Sequence, residues 1–506
     1  MNRICLILVG FIITGECLFA QEQQSSGSKY LFTLNDVVRL AQEQSPDAIV
    51  ARHRFRASYY SFRAYKANYM PKLTFSANPT TYNHSIQSVP SVDQNTGEYK
   101  INETTVNTFS STAGLSLSQN VGLTGGTVSL GSDFSRIQNL DDKTDGGTRY
   151  TTTPVSLSFN QPLNGYNELK WEKRIEPVRF DEAKQRYIYR MEQVALDAVD
   201  YYFELALAQI NLNMAKTNYA NSKELYEISQ GRYLIGTIAE DALLQMELKF
   251  MQAESKLNKA QIDIEVRQSR LRSFLGFNDN VDVQLQIDSE IPTLKVPYDK
   301  ALDYALSKSP EIILYNIQLM EAEQRMAQAK SQRGVTMSLG ASFGLNKTGF
   351  EFKDAYTPRF DDSERLSVGI RVPILDWSQA KDRYRNAQSN LEVVETQKNQ
   401  SEADFRQNVY LNVMQFNMQE NQLRIAAKAD TIAQKGYEVS RQRYLIGKVS
   451  VTDLNIADSD KDQARKNYVA ELQAYWNYFY TVRRLTLFDF MAGKSLDEDF
   501  GKIVGE

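Results

Sequence analysis

Two spacings of apolar residues alternate along the chain. Between Leu73 and Phe159, and again between Leu339 and Val372, apolar and small polar residues take turns. The clearest runs are Leu73-Thr74-Phe75-Ser76-Ala77, Leu115-Ser116-Leu117-Ser118, Val128-Ser129-Leu130-Gly131, Val155-Ser156-Leu157-Ser158-Phe159, Leu339-Gly340-Ala341-Ser342-Phe343 and Val368-Gly369-Ile370-Arg371-Val372. A period of two sorts the residue kinds onto opposite faces of a strand. Such a strand suits a half-buried soluble sheet, or a wall with lipid on one side and water on the other. Elsewhere the spacing becomes 4,3, in the stripe Val194, Ala198, Tyr201, Leu205, Ala208, Leu212, Ala215, Tyr219, Ser222, Tyr226, Ser229 and Tyr233. Large and small residues alternating at this spacing predict a helical knobs-into-holes seam. The stripe returns 211 positions later as Phe405, Val409, Phe416, Leu423, Ala426, Tyr437 and Tyr444. Asn412, Gln419 and Asp430 also fall on it, so this second seam is wetter, and they are expected to face a neighbour's polar groups or a water-filled interior.

The interval of 211 reaches beyond the stripe. Arg232-Tyr233-Leu234-Ile235-Gly236 recurs as Arg443-Tyr444-Leu445-Ile446-Gly447, and Pro162 and Pro373 keep the same distance. Ser45-Pro46 and Ser309-Pro310 lie 264 apart instead. The chain therefore reads as a tandem duplication, and the difference of the two intervals places 53 extra residues in the first copy between Pro46 and Pro162. The first copy is expected at 34–276 and the second at 299–490, with a linker at 277–298 and a tail at 491–506. Each opens with a helical segment of about 36 residues (Leu34 to Tyr69, Asp299 to Gln332). Strands follow, within 72–162 and 336–373, then a long helix at about 167–234 and about 378–446, then a return helix. At ~1.5 Å per residue the long helix would reach ~100 Å, and it needs packing partners along its whole length. A return helix and the next opening helix together nearly match it, so stacking them end to end beside it would make a wall of even height. Strands would sit at one end, the Gly236 and Gly447 turns at the other, and the linker near the middle. The extra residues hold two more strand-like runs joined at Gly122–Gly126, expected as one more hairpin in the wall or as a long folded outer loop.

The first residues and the composition narrow the function. Arg3, the apolar run Ile4 to Thr14 and Leu18-Phe19-Ala20 predict an export signal peptide at 1–20, followed by a solvated linker at 21–33. Lipid attachment at Cys17 is the alternative. Cys5 and Cys17 are the only cysteines, so a chain without its leader has no thiolate for catalysis, zinc, iron–sulfur clusters or disulfides. His53 and His84 are the only histidines, and neither has a nucleophile and acid in register. Lys+Arg 58 against Asp+Glu 62 gives a net charge of −4, so no basic field calls for nucleic acid. Gly122–Gly126 lacks the following Lys-Ser/Thr of a phosphate loop. No catalytic residue, metal site or cofactor is expected.

The leader, the two copies of helix, strands, long helix and return helix, the strands closing on Gln161-Pro162-Leu163 and the Arg-Tyr-Leu-Ile-Gly turns together resemble the TolC-like outer-membrane efflux protein family. The resemblance covers about residues 34–490. It implies a mixed fold, a membrane β-barrel plus an all-α coiled-coil tunnel, built by a homotrimer in the outer membrane of a Gram-negative bacterium with a long periplasmic extension. It implies as partners a periplasmic membrane-fusion adaptor, an inner-membrane transporter of RND, ABC or MFS type, and outer-membrane lipid. The duct itself would be no enzyme, serving a tripartite efflux pump or type I secretion system. By the same resemblance Arg232, Tyr233, Gly236, Arg443, Tyr444 and Gly447 belong to the periplasmic tip that meets the adaptor. Asp453 matches the aspartate ring of a constricted entrance, where three like charges favour hydrated cations, and Tyr444 matches the gate tyrosine. The pattern also departs from the family. Ile456 replaces a second ring aspartate, Val449 stands where an arginine restrains the gate, and the first copy's gate aspartate falls on Ala242, with Asp241 one residue earlier. A secreted coiled-coil scaffold or adhesin without channel activity is the alternative reading.

Overall fold

The computed structural model describes residues 29–92, 97–140, 147–277, 282–286 and 293–505. The expected signal peptide, Cys17 and the first part of the 21–33 linker lie outside the described residues. The 21–33 linker carries β1 (Lys29–Phe32), and the first copy comprises α1 (Leu34–Gln44), α2 (Pro46–Ala67), β2 (Lys72–Val92), β3 (Tyr99–Val121), β4 (Gly126–Asn139), β5 (Thr148–Asn164), α3 (Glu168–Leu234) and α4 (Glu240–Leu275). The 277–298 linker carries β6 (Asp282–Leu285), and the second copy comprises α5 (Tyr298–Lys308), α6 (Pro310–Ser331), β7 (Thr336–Gly349), β8 (Asp361–Arg371), α7 (Gln379–Leu445) and α8 (Val451–Thr486). The tail adds β9 (Phe488–Asp489), β10 (Lys494–Ser495) and α9 (Phe500–Val504). Helices recur at equal length in the two copies: 11 residues for α1 and α5, 22 for α2 and α6, 67 for α3 and α7, 36 for α4 and α8.

Each opening segment, expected as one helix, is two. Proline clashes with a helical conformation at the residue before it. Accordingly Ser45 (φ −62°, ψ 149°) and Ser309 (φ −60°, ψ 127°) are extended, and the prolines start new helices. Ser309 Oγ then accepts the Glu311 N–H at 3.3 Å as an N-cap.

The described residues form two compact units. One takes in those up to Ser45, those between Ala198 and Ile291, and Arg443–Asn455. In it β1 pairs in parallel with β6, so both stretches read from sequence as plain linkers carry a strand. Val283, Leu271 and Leu275 are buried there, and Gln44 Nε2 donates to the Leu275 carbonyl at 3.2 Å. Along α3 the small stripe residues Ala198, Ala208, Ala215, Ser222 and Ser229 are buried. Tyr219 and Tyr226 pack on Phe250 of α4, at 5.4 and 5.9 Å between ring centres.

The second unit holds Pro46–Asp197, the described part of 292–442, and Ile456 onward. It contains one antiparallel sheet of order β2-β3-β4-β5-β7-β8 and the α7–α8 seam. Phe405, Val409, Phe416, Leu423 and Tyr437 are buried, with Phe416 5.5 Å from Tyr475. Two polar members of this seam, Gln419 and Asp430, find partners on α8, while Asn412 bonds back along α7 and is only half-buried. Gln419 Nε2 donates to the Glu471 carbonyl at 3.1 Å, Asp430 Oδ2 accepts from Arg465 Nη1 at 2.9 Å, and Asn412 Nδ2 donates to Asn408 O at 2.8 Å. A buried polar group left alone costs more than one that α8 can satisfy. The tail is packed as well, with Phe500 5.0 Å from Phe55 and Arg56 Nε donating to Ile503 O at 2.6 Å.

Glu192 of α3 is buried in this unit, 3.0 Å from Arg483, which also reaches Asp489 at 3.2 Å. Burial pushes its carboxyl from 4.5 up to about 7 against the pull of Arg483. Folded chain therefore holds a proton that unfolded chain releases. The resulting stabilisation is complete below the unfolded value and is lost as pH rises through the folded one, an effect of about 3 kcal/mol. Tm in detergent is expected to fall as pH rises from about 5 to about 8, and Glu192→Gln to flatten that fall. An unchanged slope in the variant would remove Glu192 as its source.

Candidate functional site: a two-faced sheet and a paired helix tip

Directly opposed residues of an antiparallel ladder point to the same face. Leu73, Leu117, Leu130, Leu157 and Phe343 are successive cross-strand partners, while Thr74, Ser116, Gly131, Ser156 and Gly344 make the adjacent row on the other face. Toward β8 the apolar face continues through the pairs Ala341–Leu366, Leu339–Val368 and Met337–Ile370. These apolar side chains are not a core: Leu73 is 69% and Leu366 74% exposed. A sheet that shows leucine to its surroundings and serine behind it fits lipid on one side and water on the other. Among the described residues no helix is long and apolar enough to cross a membrane. The extra residues of the first copy lie in the sheet as β3 and β4, between β2 and β5.

Where strands meet helices, the β3–β4 turn is stitched to both flanking junctions. Gln119 Nε2 donates to Tyr69 O (2.7 Å), Gln161 Nε2 to Thr124 O (2.9 Å), and Asn167 Nδ2 to Gly122 O and Leu123 O (3.3 and 3.2 Å). After β8 the chain exposes Ile374, Leu375 and Trp377, the last at 85%. Asp376 caps α7 by accepting from the Ser378 and Ala380 N–H groups at 3.1 and 3.0 Å. An exposed tryptophan at the end of an apolar strand face suits the headgroup level of a bilayer. The run Ile374-Leu375-Asp376-Trp377 behind Pro373 was the available signal, and it went unread in the sequence.

At the other helix ends the Arg-Tyr-Leu-Ile-Gly motifs form two matching turns. Gly236 and Gly447 have φ of 76° and 73°, which a side chain would strain. Thr237 N donates to Arg232 O and Gly236 N to Tyr233 O, and Lys448 N to Arg443 O and Gly447 N to Tyr444 O, all at 2.9 Å. Each is a Schellman closure of its long helix. The two turns use their shared residues oppositely. Arg232 Nη2 donates to Leu445 O at 2.7 Å and its guanidinium lies 5.6 Å from the Tyr444 ring centre, whereas Arg443 is exposed. Tyr444 is only 4% exposed, with its hydroxyl 3.3 Å from Ser229 Oγ, whereas Tyr233 is 41% exposed. A cleft of about 770 Å³ lies between the turns, lined by Arg232, Tyr444, Asp241, Ala242, Leu445 and Val449 among others. Asp453 sits on the same end in a capping box. Ser450 Oγ and Ser450 N donate to its Oδ2 at 2.7 and 3.4 Å, and its own N–H donates to Ser450 Oγ at 3.1 Å. The structure thus joins Arg232, Tyr444 and Asp241 around one cleft and gives Asp453 a structural task as well.

The described residues thus combine a sheet whose apolar face is exposed with two pairs of 67- and 36-residue helices. The chain belongs to the outer membrane efflux protein family, whose sequence pattern matches residues 120–277 and 301–486, and it is accordingly an outer-membrane protein. It is 20% identical over 277 residues to the alkaline protease secretion protein AprF of Pseudomonas aeruginosa, covering 51% of this chain and 55% of AprF. The match thus spans about half the length of that curated relative. In fold the chain is similar to the CmeC outer membrane channel of Campylobacter jejuni, with a TM-score of 0.65 and 18% identity over 93% of this chain and 88% of CmeC. It is also similar to the outer membrane protein VceC of Vibrio cholerae, with a TM-score of 0.60 and 14% identity over 92% and 97%. The fold is that of TolC-family channels, and among the described residues a single chain supplies a six-stranded sheet that does not close on itself.

Proposed function

We propose that the protein is the exit duct of a tripartite efflux pump or type I secretion system, acting as a homotrimer whose sheets close into one barrel and whose helices form a periplasmic tunnel. The observation that carries this reading is the exposed apolar face of a sheet with two unpaired edges, β2 and β8, a surface that chain alone leaves open to lipid and to further strands. The tip turns, with Arg232, Tyr233, Gly236, Arg443, Tyr444 and Gly447, meet a periplasmic adaptor. An inner-membrane transporter supplies the energy, and the duct performs no chemistry. The name of AprF supports a secretion role, and the likeness to CmeC supports a channel. At the tip the Arg232–Tyr444 contact holds the two turns together, Asp241 adds charge to the cleft, and three copies of Asp453 make a cation-binding constriction.

Purified protein in a planar bilayer tests this. Discrete conductance steps, blocked by divalent cations, are expected. Asp453→Asn keeps one acceptor oxygen for the cap while removing the charge, and is expected to abolish the block with little loss of stability. Block that survives the change would take Asp453 out of the constriction. Well-folded oligomers that never conduct would favour a scaffold.

A further inference from the structure

The two copies put unequal numbers of strands into one sheet. The second contributes β7 and β8, the first β2, β3, β4 and β5. The additional pair is neither a flap nor a cap. β3 is hydrogen-bonded to β2 from Tyr99 to Ser118 and to β4 from Thr108 to Val121, and β4 continues the ladder to β5 from Thr127 to Gln138. It carries the same two faces as the rest of the sheet. Leu115, Leu117 and Leu130 are exposed in the apolar rows, and Ser116, Ser118, Ser129 and Gly131 lie behind them. The turn between β3 and β4 returns at the helix end but feeds no helix, being held instead by Asn167 and Gln161. Among the described residues the sheet's outer strands, β2 and β8, have no further partner in the sheet, and β8 is exposed along all 11 residues.

In hydrocarbon a sheet edge must find another strand, since no water satisfies its N–H and C=O groups. Both edges carry exposed apolar residues, Leu73 and Phe75 on β2 and Leu366, Val368 and Ile370 on β8, which puts them at membrane depth. The occupant that fits each edge is the opposite edge of a second copy of this chain. We infer that each chain gives six strands to the barrel wall, so that the trimer proposed above, on which this number rests, closes an eighteen-stranded barrel. Without the β3–β4 hairpin, two copies of a two-strand unit would give twelve. With strands ~4.8 Å apart and tilted ~40°, eighteen strands set a backbone radius of roughly 18 Å against roughly 12 Å for twelve. The hairpin thus widens the outer mouth, and with its inward-facing serines and glycines it leaves an aqueous opening for bulky cargo.

Cryo-electron microscopy of the full-length oligomer in lipid nanodiscs counts the strands directly. Eighteen, with β2 of one chain beside β8 of the next, is the expected result. A wall that excludes β3 and β4 overturns the inference, whatever the copy number. Six strands per chain in a barrel of another multiple of six sustains it and overturns the trimer instead, and the absence of any barrel overturns both. A second measurement uses polymer exclusion from the outer side of the pore. Excising residues 97–140 joins β2 to β5 across the outer side, and the size cut-off for polyethylene glycols is expected to fall to roughly two-thirds in radius. A conducting variant with an unchanged cut-off contradicts the inference, and if the variant does not assemble the strand count decides.

Discussion

Leu157→Arg is expected to abolish assembly in the outer membrane, while Ser158→Arg, one residue along the same strand, leaves assembly intact. Leu157 lies on β5, between Leu130 of β4 and Phe343 of β7, in the middle of the apolar row. An arginine facing lipid near the midplane costs about 2–4 kcal/mol, and the proposed trimer would incur it three times over, enough to compete with the whole stability of a typical domain. Ser158 pairs with Ser129 and Ser342 on the opposite face, where water hydrates the new charge. The readouts are heat-modifiable migration of the oligomer from outer-membrane fractions and, for Ser158→Arg, a shift of ion selectivity toward anions. Equal tolerance of both changes would mean that the leucine face does not meet lipid.

Tyr444→Ala is the second large effect. The ring is almost wholly buried between Arg232 and Ser229, so truncation leaves a cavity and costs about 3–5 kcal/mol at the tip. That exceeds what two helix turns joined by a few contacts can absorb, and the turns are expected to part. Single-channel conductance should rise several-fold, and cells should become sensitive to antibiotics normally too large to enter. Tyr444→Phe loses only the hydroxyl contact to Ser229, about 1 kcal/mol, and is expected to stay close to the parent. Parent-like conductance in Tyr444→Ala would place the closing contact elsewhere.

The order and spacing of the two copies, with the motifs they share, carried the resemblance to the family, and local periodicity carried the face of each strand, because backbone geometry alone fixes which residues share a side. It did not carry which strand lies beside which. The residues around Gly122–Gly126 read equally well as wall or as outer loop, and only pairing with β2 and β5 places them in the sheet. Ser45-Pro46 and Ser309-Pro310 served as markers of the repeat although the same prolines break the helices they mark, a steric rule present in the sequence and left unused. Asp430 and Gln419 looked like wet positions because their partners, Arg465 and Glu471, sit more than thirty residues away on another helix. The tip shows a further limit. Arg232-Tyr233 and Arg443-Tyr444 are the same dipeptide, yet in one the arginine and in the other the tyrosine turns inward, a choice made by what surrounds each turn.

The claim on which the rest depends is that one face of the sheet meets lipid and the other lines a water-filled duct. Single cysteines at Leu157 and Ser158 test it in the conducting oligomer, with the parent chain, whose only cysteines are Cys5 and Cys17, as the blank. A membrane-impermeant, charged thiol reagent is expected to react with Ser158→Cys and to change the conductance in discrete steps, and to leave Leu157→Cys unmodified. Labelling of Leu157→Cys from the aqueous phase with Ser158→Cys protected would contradict the account.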